Sequence, residues 1–205
     1  MKKLKKLITR IIGGFLSWLN DIDVMDDILQ MVSKLGIKYH LIPGHEFRTA
    51  LYCSKPGDII VIRAFAEATS ILIGAGFTHV AFKANDKDIY DATGDHGVSK
   101  RDILELMVGT QDLAVLRLNL PHEKIMEVLE RAKQYTEMDI DYDYGFASNK
   151  SEMYCSEFIY HCVNDVCPGY FDLRERYGNR TITPEDLYKA SPKKLDVKYE
   201  HIRVE

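Results

Sequence analysis

The chain has 205 residues, of which 46% are hydrophobic and 28% charged, with a formal net charge of -4. That balance suits one folded domain with a substantial core and excludes a disordered or repeat-built chain. The negative balance also excludes a protein that binds nucleic acid through a general basic face.

Charge is segregated only at the N-terminus, where Lys2, Lys3, Lys5, Lys6 and Arg10 all precede the first acidic residue, Asp21. Leu4, Leu7, Ile8, Ile11, Phe15, Trp18 and Leu19 recur at helical spacing, so residues 1–20 are predicted to form a basic amphipathic helix. Arg10 interrupts the apolar run and no small-residue cleavage site follows, so neither a cleavable signal peptide nor a transmembrane helix is expected. Two uses fit such a helix: lying on an anionic membrane surface with Trp18 at the interface, or packing on protein. The expected location is cytoplasmic, peripheral to a membrane if the first use holds. Residues 21–52 read as helix and connector: Asp21 to Leu35, stopped by Gly36, then a connector from Ile37 to Cys53 through Pro43 and Gly44.

Lys55-Pro56-Gly57-Asp58 reads as a turn into Ile59-Ile60-Val61-Ile62, an apolar run of the buried-strand type. Ala64 to Ile73 reads as a helix of small residues ending at Gly74 and Gly76. Thr78 to Lys83 and Asp88 to Thr93 alternate as strands, and Asn85-Asp86-Lys87 suits the hairpin between them. Leu113 to Leu118 is a further strand, and His122 to Met138 a helix with Ile125, Val128, Leu129 and Ala132 on its apolar side. A loop rich in Asp and Tyr leads to a helix over Cys155 to Val166, and Thr183-Pro184 opens a last helix. Strands in the middle with helices around them predict an α+β fold.

The four cysteines (Cys53, Cys155, Cys162, Cys167) lack the close Cys-x-x-Cys pairs of zinc sites, so reduced thiols and no metal are expected. Two near-motifs fail. Gly74-Ala75-Gly76 precedes a strand instead of a helix, unlike a dinucleotide loop. Asp139, Asp141 and Asp143 open like a calcium loop, but Tyr144 and Lys150 stand where that loop needs Gly and Glu. Cys155 is different, because it starts a helix. Free N–H groups and partial positive charge at a helix start favour a thiolate and can hold an oxyanion. His79 lies in a strand and Asp91 in the next, where the carboxylate can orient the imidazole while the other ring nitrogen faces a thiol.

These segments resemble the circularly permuted branch of the NlpC/P60 papain-like superfamily, the YiiX/YaeF-like amidases, with the related lecithin:retinol acyltransferase-like proteins. The resemblance is carried by Pro56-Gly57-Asp58-Ile59-Ile60, Thr78-His79-Val80-Ala81, Ile89-Tyr90-Asp91-Ala92, Tyr142-Asp143 with Phe146, Tyr154-Cys155-Ser156-Glu157-Phe158-Ile159, and Thr183-Pro184-Glu185-Asp186-Leu187. His79 precedes Cys155, the order that permutation requires. Two departures stand out: Asp91 where the branch often has Glu, and Ala81 where it has Gly.

The resemblance implies that residues 53–205 form a permuted papain-like domain, with a small antiparallel sheet packed against the helix that carries the nucleophile. It implies Cys155 as nucleophile, His79 as base and Asp91 as the orienting group, with Tyr154, Asp143 and Tyr142 around the substrate or the oxyanion. No cofactor is expected. Attack on an amide or ester carbonyl would give a thioester, resolved by water in an amidase, peptidase or acyl hydrolase, or by an acceptor in an acyltransferase. Peptide, amide and lipid acyl substrates all fit this chemistry, as does a catalytically silent binding module tethered by residues 1–20.

Overall fold

The computed structural model describes residues 41–64, 76–146, 150–176 and 178–202. The helices expected over residues 1–20 and Asp21 to Leu35 lie outside the described residues. So does the one expected after Ala64. In chain order the elements are α1 (Gly44–Cys53), β1 (Ile59–Ala64), β2 (His79–Lys83), β3 (Asp88–Thr93), β4 (Gly97–Asp102), a 3₁₀ turn (Ile103–Met107) and β5 (Thr110–Leu118). There follow α2 (His122–Thr136), α3 (Cys155–Val166), β6 (Arg174–Arg176), β7 (Asn179–Thr181), α4 (Pro184–Tyr188) and β8 (Leu195–His201). The architecture is α+β, as the sequence predicts.

The β-branched run Ile59 to Ile62 is buried on both faces because β1 is a central strand of a six-stranded antiparallel sheet, ordered β4-β3-β2-β1-β5-β8. Ile59 and Val61 point with Val80, Phe82 and Leu116 towards α2 and α3. Ile60 and Ile62 point with Ala81, Leu113 and Val115 to the other face, covered by α1 and the 3₁₀ turn. The helix headed by Cys155 packs on β2 and β3, with Phe158 edge-on to Phe82 at 6.1 Å and to Tyr135 of α2 at 6.4 Å. Asp165 ties these two helices to the loop before α3. It accepts from Arg131, Tyr135 and Lys150 at 2.7, 2.7 and 2.8 Å.

The connector expected from Ile37 to Cys53 is helical from Gly44 onwards. Pro43 and Gly44 look like a turn, but Pro43 takes the extended N-cap conformation and Phe47 and Ala50 bury one turn apart against β5 and β8. Lys83, almost fully buried, closes the far end of that helix by donating to the carbonyls of Leu51 and Ser54. The sheet is also wider than expected: β4 and β8 lie at its two edges, with polar sequences (Gly97 to Asp102, Leu195 to His201) that lack a clean alternation.

Candidate active site

Antiparallel pairing brings the start of β2, the end of β3 and the start of β4 to one end of the sheet. The chain returns to that end before α3. The Val98 N–H donates to the Ile140 carbonyl at 2.8 Å, and the Met153 N–H to the Asp141 carbonyl at 2.9 Å. Gly97 makes this docking possible: its φ is +58°, and a Cβ there would sit 2.3 Å from the Ile140 oxygen. Two residues after Met153, Cys155 begins α3 beside the chain ends that carry His79 and Asp91.

Cys155 is buried, 2% exposed. Tyr154 occupies the N-cap without a side-chain cap, so the first-turn N–H groups have no intrahelical acceptor. The helix start is clamped from outside, since Ser156 Oγ donates to the Ile182 carbonyl at 2.8 Å and the Ile182 N–H donates to Tyr154 Oη at 3.2 Å. The segment after Ile182 holds α4 through a capping box between Thr183 and Asp186.

His79 Nε2 lies 2.8 Å from Asp91 Oδ2, and Asp91 is fully buried. The same carboxylate receives two of the three arms of Arg101, Nε to Oδ1 at 3.0 Å and Nη2 to Oδ2 at 2.6 Å. Burial opposes ionisation of Asp91, but the hydrogen bonds from His79 and Arg101 outweigh it and hold the carboxyl below its usual range. The third arm of Arg101, Nη1, reaches Glu105 Oε2 at 2.7 Å.

His79 pairs directly with Ile62 and shares its face with Ala81, whereas Cys155 clusters with Val80, Phe82 and Ala92. The ladder between β2 and β3 stops at the Phe82–Tyr90 pair, leaving His79 and Asp91 beyond it. The structure therefore brings His79 and Asp91 into contact and sets Cys155 at the same end of the sheet.

Asp143 is buried and accepts from the Gly145 N–H at 2.7 Å, while Tyr142 packs on Tyr144 with ring centroids 4.8 Å apart. Phe146, with a positive φ of 50° that is rare for a bulky residue, packs on Tyr154 at 4.8 Å. Burial and then the charge of Glu157 push the Tyr154 hydroxyl well above the usual tyrosine range, with Cys155 and Asp143 adding to it. Arg101 and His161 stand outside the motifs quoted from the sequence, and Glu157 lies within one without an assigned role. The i, i+4 spacing of Glu157 and His161 was a readable signal, whereas Arg101 sits in a polar edge strand that announces nothing. Among the described residues no group of three or more His, Cys, Asp or Glu side chains is placed to hold a metal ion. No helix among them is long and apolar enough to cross a membrane.

Residues 53–194 match the family described as permuted papain-like amidase enzyme, YaeF/YiiX, C92 family. The chain belongs to that family. The match spans β1 to α4, including His79, Asp91 and Cys155. The crystal structure of the metalloprotein yiiX from Escherichia coli O157:H7 superimposes with a TM-score of 0.57 at 20% identity, covering 70% of this chain and 95% of that one. At that identity the likeness concerns the fold. No match is found among curated proteins.

Proposed function

We propose that this permuted papain-like protein is a thiol amidase in which Cys155 is the nucleophile, His79 the base and Asp91 the group that orients the base. The observation that carries this reading is the buried His79–Asp91 hydrogen bond, standing at the end of the sheet where Cys155 starts α3. His79 donates from Nε2 to Asp91, which assigns Nδ1 as the atom that takes the thiol proton. The thiolate then attacks the amide carbonyl carbon. The oxyanion forms against the free N–H groups of the first turn of α3, flanked by Tyr154. Collapse breaks the C–N bond, the imidazolium returns its proton to the leaving amine, and water hydrolyses the thioester. Tyr142 and Asp143, on the segment docked beside α3, line the acyl side. Family membership favours amide bonds. The lipid acyl alternative rests on residues 1–20, outside the described residues.

The test is an activated-ester acyl probe at neutral pH, with the thioester adduct located by mass spectrometry. An adduct on Cys155 that is absent in Cys155→Ala and slowed at least a hundredfold in His79→Ala supports the reading. Equal acylation of Cys155→Ala, or an unslowed His79→Ala, overturns it.

A further inference from the structure

We infer that Arg101 is a positioning residue, whose guanidinium fixes the plane and the charge of Asp91 and through it the ring of His79. The inference rests on the reading of His79 as base. The Arg101 fork meets both oxygens of Asp91, a planar two-point contact that leaves the carboxylate no rotation. His79 is hydrogen-bonded to Oδ2, the oxygen that also receives Nη2, so the ring direction is set by a carboxylate that Arg101 has already fixed. The arginine is itself held from the far side by Glu105, giving a line of four groups on four successive elements: β2, β3, β4 and the 3₁₀ turn.

The charges along this line alternate in effect. Asp91 alone would draw a proton onto the imidazole and leave it unable to accept one from a thiol. Arg101, sharing Oδ2, offsets that pull on the proton, while Glu105 tempers Arg101 in turn. The other described charge on this face of β2, Lys83, is engaged with the Leu51 and Ser54 carbonyls and with Asp86. This device also answers the departure noted in the sequence. Asp91, a carboxylate one methylene shorter than Glu, meets His79 at 2.8 Å while Arg101 on the next strand grips both of its oxygens.

The experiment is an NMR titration of the His79 ring in the full chain, together with the pH profile of kcat/KM. Arg101→Gln should raise the ring pKa by about one unit or more and move the acid limb of kcat/KM upward with it. It should lower kcat with little change in KM. Glu105→Gln, at a site half exposed to solvent, should shift the ring pKa the opposite way. Arg101→Lys, which keeps the charge and loses the fork, should restore the ring pKa and not kcat. A purely structural Arg101 would lower stability without opposed shifts from its two neighbours. If Glu105→Gln leaves the ring pKa and the acid limb unmoved, or Arg101→Lys keeps the parent's kcat, the inference is overturned, even should Arg101→Gln fail to fold. The ring titration needs no turnover, so it can succeed or fail apart from the acylation test of His79 and Cys155.

Discussion

Glu157 Oε1 and His161 Nε2 stand 3.5 Å apart, one helical turn from each other on α3, and among the described residues neither atom has a partner at full hydrogen-bond geometry. Glu157 is 1% exposed, two residues after the candidate nucleophile. Burial raises its carboxyl above the usual range; His161 lowers it and Asp143 raises it further. A carboxyl with a raised folded-state pKa contributes stability below its unfolded value, and that contribution is lost as pH rises through the folded value. Glu157→Gln should therefore gain stability relative to the parent between pH 4.5 and 8. Thermal melts at several pH values check this, and an advantage that shrinks as pH rises would contradict it.

Asp91 has the opposite sign. Its folded-state pKa lies below the unfolded value, so its contribution is present above the unfolded value and disappears as pH falls through the folded one. Replacing it by Asn leaves Arg101 and His79 facing a neutral, buried amide. The expected cost is about 3–5 kcal/mol at neutral pH, in the range for breaking one side of a buried ion pair. Urea unfolding at pH 7 and at pH 3, below the unfolded value of 3.8, measures it, and the cost should be smaller at the lower pH.

A second carboxylate sets part of the acid stability far from the site. Burial opposes ionisation of Asp165, but Lys150, Tyr135 and Arg131 together lower its pKa from 3.8 to about 2. Its stabilising contribution is complete above 3.8 and is lost between there and about 2. Asp165→Asn should lower stability at pH 6 and flatten the acid limb of the stability curve below pH 4. An unchanged limb by circular dichroism would show that the network contributes nothing.

Gly57 has a φ of +88°, and a Cβ there would lie 2.3 Å from Ile125 Cγ2 on α2. Gly57→Ala should cost about 1–3 kcal/mol through backbone strain, with a steric cost added. Ile125→Ala removes the steric part alone. The double variant should then be less destabilised than the two single costs summed, a coupling that a double-mutant cycle in urea detects. Simple additivity would place the whole cost in the backbone.

The chain segments that carry the proposed chemistry were legible because each has a strong local code. Asp88 to Thr93 and Cys155 to Val166 form as expected, residue for residue, and His79 begins its strand one residue after the expected start. Thr183 caps α4 as Thr-Pro predicts. Gly44–Cys53 was missed because Pro-Gly codes equally for a turn and for a helix entry, and the choice fell to the burial of Phe47 and Ala50. The strands β4 and β8 were missed because edge strands have one unpaired side and tolerate charge, so apolar alternation fades.

For Cys155 and His79, local pattern alone determined their places: one heading a helix, the other heading a strand, in the order that marks a permuted papain-like chain. Which groups surround them was decided by the tertiary structure. Antiparallel pairing set Arg101 against Asp91, and the docking of Ile140 on Val98 brought Cys155 to the end of the sheet where His79 lies. Periodicity reports the backbone a residue adopts and the side it buries. Contacts between strands and helices far apart in sequence depend on register and packing, and these exist only once the sheet has closed.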